Sequence, residues 1–204
     1  MRPIIAAIQN RHSTRNFLAQ PVEPELIDTM IEAARLAPAA CNLSHHRVLV
    51  IDQPEDLEVV RRAAYSMGAV AEAPLVLLHM ADTSLDEPFR AMMEAMASDP
   101  NPAFDLSKLR SGRGAPFQLR VGREWALVNA ALCGEHMMLQ AVEMGLSGCW
   151  VHHFAHDEVR EHFAIPAHIE FLALMAIGYA AKPVPASPGR GELRYPRYPA
   201  NPAG

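Results

Sequence analysis

Apolar residues recur along this chain at two periods, and the alternation between them predicts its layout. Ile4, Ile5 and Ile8 form a short apolar face ahead of a polar cluster at residues 11–15. Leu26, Ile27, Met30, Ile31 and Ala34 follow at helical spacing, with Pro24 in the first turn and an end before Pro38. Val48-Leu49-Val50-Ile51 reads as a buried strand, and Pro54 opens a helix through Leu57, Val60 and Arg61. Leu75-Val76-Leu77-Leu78 is a second strand. Trp125 to Met144 is a helix apolar nearly all round, which belongs at the centre of a core or in an oligomer interface. After a stop at Gly145 come a short strand at Cys149-Trp150-Val151, a brief helix at Asp157–Phe163 closed by Pro166, and a fourth strand from Phe171 to Tyr179. Strands alternating with a heavier complement of helices indicate a layered α/β or α+β domain.

Two stretches follow neither period. Residues 83–124 hold a Met-rich patch (Phe89, Met92, Met93, Met96), then Asp99-Pro100-Asn101-Pro102, then a Gly- and Arg-rich run to Gly122. They read as an excursion or lid, since long irregular loops are commonly functional. From Lys182 onward the chain has six prolines and no apolar period, so the 182–204 tail is expected to be extended. The expectation is one domain over residues 1–204 that includes both stretches.

Composition sharpens this outline. Of 204 residues, 50% are apolar and 20% charged, below the roughly 25% charged of an ordinary soluble protein. The surface is therefore poor in charge for the chain's size. Cys41, Cys133 and Cys149 are an odd set without paired spacing, as in a reducing compartment. No leader pattern or bilayer-length apolar run is visible, so the expectation is a soluble cytoplasmic protein with no membrane partner. A net charge of −5 argues against nucleic-acid binding. Its distribution says more. Residues 1–22 carry +3, residues 182–204 carry +3, and the middle therefore −11. The two basic ends are either solvated tails or parts of one site for a small anion such as a phosphate.

Several chemistries are unwritten here. There is no GxGxxG after a strand, no P-loop, no HExxH and no nucleophile elbow at Gly145-Leu146-Ser147-Gly148. His45-His46, His152-His153, His156 and His162 invite a metal reading. No acid sits among them at a ligand spacing, so pocket or surface histidines are the expectation, with no metal. Cys133 and Cys149 fall inside a helix and a strand, where packing suits them better than reactivity. The strongest local feature is Arg11-His12-Ser13-Thr14-Arg15. Two guanidinium forks around a hydroxyl can hold a phosphate monoester through charge-assisted hydrogen bonds, with the distant Arg190 in the second basic end.

Four segments in order resemble the FMN-dependent nitroreductase superfamily over nearly the whole chain. Arg11-His12-Ser13-Thr14-Arg15 with Phe17 is similar to its phosphate-binding opening. Ala33 to Asn42 is similar to its helix end and flavin-contacting turn. Gly145-Leu146-Ser147-Gly148-Cys149-Trp150-Val151 resembles its flavin-adjacent strand. Ala176-Ile177-Gly178-Tyr179-Ala180 with Lys182-Pro183 and Arg190 resembles its last core strand and phosphate-reaching tail. The resemblance implies an α+β three-layer sandwich, with a central, mostly antiparallel sheet flanked by helices, and a homodimer with two FMN sites at its interface. It implies that Arg11, His12, Ser13 and Arg15 hold the phosphate and ribityl chain while Arg190 closes over the phosphate. Pro38, Ala39, Ala40 and Asn42 would come from the other subunit, and Gly148, Cys149, Trp150 and Val151 would border the isoalloxazine edge.

The implied activity is transfer of hydride from NAD(P)H through flavin N5 to a flat electron-poor acceptor, a nitroaromatic or quinone. Two alternatives stay open: a flavin enzyme without nicotinamide (an oxygen-dependent dehydrogenase or oxidase, or a reductive dehalogenase), and a non-catalytic FMN-binding protein. No side chain is assigned as catalytic; His45, His46 and His152 are candidate proton donors to the acceptor. The chain also departs from the family pattern. Leu43-Ser44-His45-His46 replaces the usual residue followed by Gln-Pro-Trp, and His152 replaces a common Gly. Ser66 and Ala69 stand where many members place Asn and Lys against the flavin pyrimidine. Arg47 or the arginines of the excursion are the candidate replacements for that lysine.

Overall fold

The computed structural model describes residues 3–39, 42–84 and 116–183. The chain opens with α1 (Pro3–Asn10) and α2 (Pro24–Arg35), and continues through β1 (His46–Ile51) to α3 (Pro54–Ala63), α4 (Gly68–Glu72) and β2 (Leu75–Asp82). Then come α5 (Pro116–Glu143), β3 (Ser147–Val151), α6 (His156–His162) and β4 (Ile169–Gly178). Pro24 and Pro54 occupy the first turns of α2 and α3, where a missing N–H costs nothing. At the end of α5, Gly145 takes φ 84° and the chain turns back, with Leu146 N–H donating to Ala141 O at 2.9 Å.

The strands lie in the order β1-β2-β4-β3, and each neighbouring pair is antiparallel. β2 and β4 occupy the middle and are buried on both faces, and their side chains divide by the period of two. Leu75, Leu77, Met175 and Ile177 face a cluster with Ile27 and Met30 of α2 and Met137, Met138 and Ala141 of α5. Val76, Leu78, Leu174 and Ala176 face the opposite cluster, with Leu57 and Val60 of α3, Val70 of α4 and Val159 of α6. The result is three layers, helices on each side of one antiparallel sheet, the expected α+β sandwich.

Two expectations are corrected. β1 is an edge strand whose residues 46–50 are half-buried and only Ile51 fully so, because no strand among the described residues pairs with its outer side. The 83–124 excursion is shorter than its composition implies: β2 runs to Asp82, and residues 116–124 are already part of α5. Gly122 sits within that helix without breaking it. The Met-rich patch and residues 99–102 lie outside the described residues, as do Ala40, Cys41, Arg190 and the tail beyond Pro183.

α5 packs against α2, against the sheet and against α1, yet keeps an apolar stripe at the surface. Trp125, Val128 and Leu132 are 36%, 56% and 40% exposed, and Ile4, Ile5 and Ile8 of α1 are exposed as well. No helix among the described residues is long and apolar enough to cross a membrane.

Candidate functional site

The Arg11–Arg15 cluster leaves α1 as an extended segment and is sewn to the sheet. Ser13 forms a parallel bridge to Gly148, and Thr14 N–H donates to Gly148 O at 3.1 Å. Phe17 bridges Ala180, Leu18 N–H donates to Tyr179 O, and Ala181 N–H donates to Asn16 O. Residues 13–18 therefore join the start of β3 to the exit of β4. The carboxylate of Glu72 accepts from Asn16 Nδ2 and Phe17 N–H, fixing the segment from the far side.

This stitching brings Ser13 and both arginines around Cys149. Burial pushes the Cys149 thiol up, while Arg15, the Ser13 hydroxyl and Arg11 each work to lower it. Among the described residues neither Arg11 nor Arg15 forms an ion pair. Thr14 Oγ1 is buried in the same segment with no hydrogen-bond partner among the described residues. Two uncommitted guanidinium groups, a neighbouring hydroxyl and an orphaned buried hydroxyl suit a polyanionic group. Gly148 is glycine for a different reason: a Cβ there would come 2.7 Å from Met138 Cε and 2.8 Å from Ile177 Cδ1, both core atoms.

The second predicted group is elsewhere in the chain. Pro38 and Ala39 follow the end of α2, and Asn42 adopts φ 55°, a left-handed turn that asparagine tolerates. Ala39 and Asn42 line a cavity of about 190 Å³ with Arg35, Ser44, His45 and His46, closed by α5 at Asn129 and Cys133. Among the described residues no hydrogen bond joins this turn to the Arg11–Arg15 segment. His45 Nδ1 lies 2.9 Å from Asn129 Nδ2, within the buried wall of the cavity.

Behind the cavity is a pair that the sequence did not disclose. His46 Nε2 lies 2.9 Å from Nδ1 of His79, which is completely buried in β2. The ring centroids are 5.1 Å apart with planes at 14°. Those two distances leave one ring radius at each end, so the rings meet edge to edge, nearly in one plane, the geometry of a straight hydrogen bond. Burial, then the charge of Arg47, depresses His46 to about 4; burial, then His46, depresses His79 to about 3. His79 also contacts Trp150 (centroids 5.0 Å), and Trp150 stacks on His152 at 6.3 Å. Trp150 is thus held from behind by His79, with His152 on its outer side.

The departures from the family pattern also find their places. Ser66 sits in a left-handed turn at φ 53°, and Ala69 is buried in α4, so neither brings a cation. Arg47 is already committed, with Nη2 2.9 Å from Asp82 Oδ2 and Nη1 donating to Ser44 O and His46 O. That ties the candidate lysine replacement down at the foot of β2.

The chain is similar to known proteins along most of its length. The model of the nitroreductase family matches residues 8–179. An NADH dehydrogenase of Thermus thermophilus is 29% identical over 182 residues, covering 86% of each chain. A solved nitroreductase family protein of Clostridium difficile is 27% identical, with a TM-score of 0.64 and 97% and 94% of the two chains covered. A candidate nitroreductase of Exiguobacterium sibiricum, solved in complex with FMN, is 20% identical with a TM-score of 0.68, covering 95% and 93%. The match runs from α1 through the last core strand and includes both the arginine segment and the β3 stretch it is sewn to. On that span, this chain belongs to the nitroreductase family.

Proposed function

We propose that this protein is an FMN-dependent oxidoreductase that passes reducing equivalents from NAD(P)H to a small electron-poor acceptor, a nitroaromatic or quinone. FMN, when bound, supplies the hydride and electron chemistry. The chain's own work is to hold the cofactor, exclude water and shape the acceptor pocket. Arg11, Ser13 and Arg15, with His12, hold the phosphate and ribityl chain, and Arg190 closes over the phosphate. Gly148, Cys149, Trp150 and Val151 border the flavin ring. The observation that carries this reading is the Ser13–Gly148 bridge, which sets two guanidinium groups without ion pairs among the described residues beside β3.

The working unit in this reading is a cytoplasmic homodimer. The exposed Trp125, Val128 and Leu132 stripe on α5 supports it, because one chain leaves that apolar surface in water. A second copy also supplies what a single chain keeps apart: Pro38, Ala39, Ala40 and Asn42 of one protomer face the flavin held by its partner.

The arginine pair decides the cofactor assignment. The doubly substituted Arg11→Ala, Arg15→Ala protein is expected to fold, by circular dichroism, and to purify depleted of flavin. Full FMN occupancy in that variant would overturn the assignment.

A further inference from the structure

The His46–His79 pair carries a consequence for what the cavity recognises. One hydrogen bond joins His46 Nε2 and His79 Nδ1, so only one of those nitrogens bears the shared proton. His79 Nε2 settles which. It is buried, with no hydrogen-bond partner among the described residues. A proton there would be an orphaned N–H in an apolar interior, a rarer and costlier arrangement than a bare lone pair. His79 therefore carries its proton on Nδ1 and donates, and His46 Nε2 accepts. Both rings are neutral at pH 7, because burial penalises their charged forms. A neutral imidazole whose Nε2 accepts must hold its proton on Nδ1. Among the described residues that Nδ1 has no partner, and His46 lines the cavity beside Asn42 and Ser44.

We infer that His79 locks His46 as a hydrogen-bond donor to this cavity, and that the donor receives a carbonyl, quinone or nitro oxygen of the electron acceptor. The inference rests on the oxidoreductase reading for the identity of the ligand, but not for the tautomer. His46 is the binding residue and His79, which reaches the ligand only through it, is a positioning residue. A pocket built this way favours acceptors that present an oxygen over oxidants with no hydrogen-bonding atom.

Two measurements test it. Long-range ¹H–¹⁵N spectra of the flavin-free full chain, labelled with ¹⁵N-histidine, report tautomers directly. His46 and His79 are expected as Nδ1–H species, and His79→Leu is expected to let His46 populate the Nε2–H form. A His79 protonated at Nε2, or a His46 tautomer indifferent to His79→Leu, overturns the proposal. In the flavin-loaded protein, His46→Phe is expected to raise KM for 1,4-benzoquinone about tenfold relative to KM for ferrocenium, which offers no hydrogen-bonding atom. His46→Asn, which restores an N–H, is expected to recover much of the difference. An unshifted ratio overturns the acceptor role. Failure of the wild-type chain to take up FMN would instead overturn the oxidoreductase reading and leave the tautomer result standing.

Discussion

Gly134 of α5 lies so close beneath Trp150 that a Cβ on it would sit 2.4 Å from the indole Cη2, 3.0 Å from Cζ2 and 3.2 Å from His79 Nδ1. Helix and strand approach there only because residue 134 has no side chain. Alanine is the better helix former by about 1 kcal/mol, whereas overpacking against a rigid ring costs about 1–3 kcal/mol. Gly134→Ala is therefore expected to lower the urea midpoint and to shift Trp150 fluorescence. A stabilised variant with unchanged emission would show that the indole has room to yield.

Thr14 supplies a test of whether the cradle awaits a ligand. Its hydroxyl is buried without a partner among the described residues. Thr14→Val removes that unsatisfied group and is expected to leave flavin-free stability unchanged or raised by about 1 kcal/mol. The same variant is expected to bind FMN several-fold more weakly by fluorescence titration. Equal affinity would mean that the hydroxyl never meets the cofactor.

The histidine pair predicts an acid-sensitive fold. His46 and His79 are depressed to about 4 and about 3, while the unfolded chain titrates both near 6.5. Between those values the unfolded state binds more protons than the folded one, so stability rises with pH there. It is fully present above about 6.5 and is lost progressively as pH falls toward 4 and then 3. Urea midpoints measured from pH 7.5 down to 5 are expected to fall below pH 6.5, and a His46→Phe, His79→Leu double variant is expected to flatten that slope. Parallel profiles for the two proteins would contradict the burial argument.

The α5 stripe makes a claim about assembly. Val128 is 56% exposed in one chain, where an aspartate costs little. If that face is the dimer interface, Val128→Asp desolvates a charge and is expected to shift sedimentation from dimer to monomer, with loss of bound flavin. A wild-type monomer, or a Val128→Asp dimer, would remove the stripe from the interface.

The sequence disclosed what local period and punctuation encode. Prolines in the first turns of α2 and α3, the Gly145 stop and the apolar runs of β2 and β4 marked the core elements and their order. α4 escaped because five residues, Gly68 to Glu72, are too short to display a period. The first turns of α5 escaped because glycine and arginine around Gly122 resemble loop composition, although the helix continues through them. In the site, Arg11 and Arg15 stood out as charges at close spacing around Ser13, but the bridge from Ser13 to Gly148 joins positions about 135 residues apart, which no local signal encodes. His79 was invisible for a similar reason. It is a lone histidine in an apolar strand, and only the antiparallel register of β1 and β2 brings it to His46.

In this reading the chain holds FMN and draws electrons from a nicotinamide. The most direct test is the visible spectrum of the purified protein, followed by anaerobic titration with NADH and NADPH. Flavin absorption bands are expected, bleaching within the mixing time for at least one of the two nucleotides and returning when 1,4-benzoquinone is added. A protein that stays colourless after incubation with FMN, or whose bound flavin neither nucleotide bleaches, would contradict it.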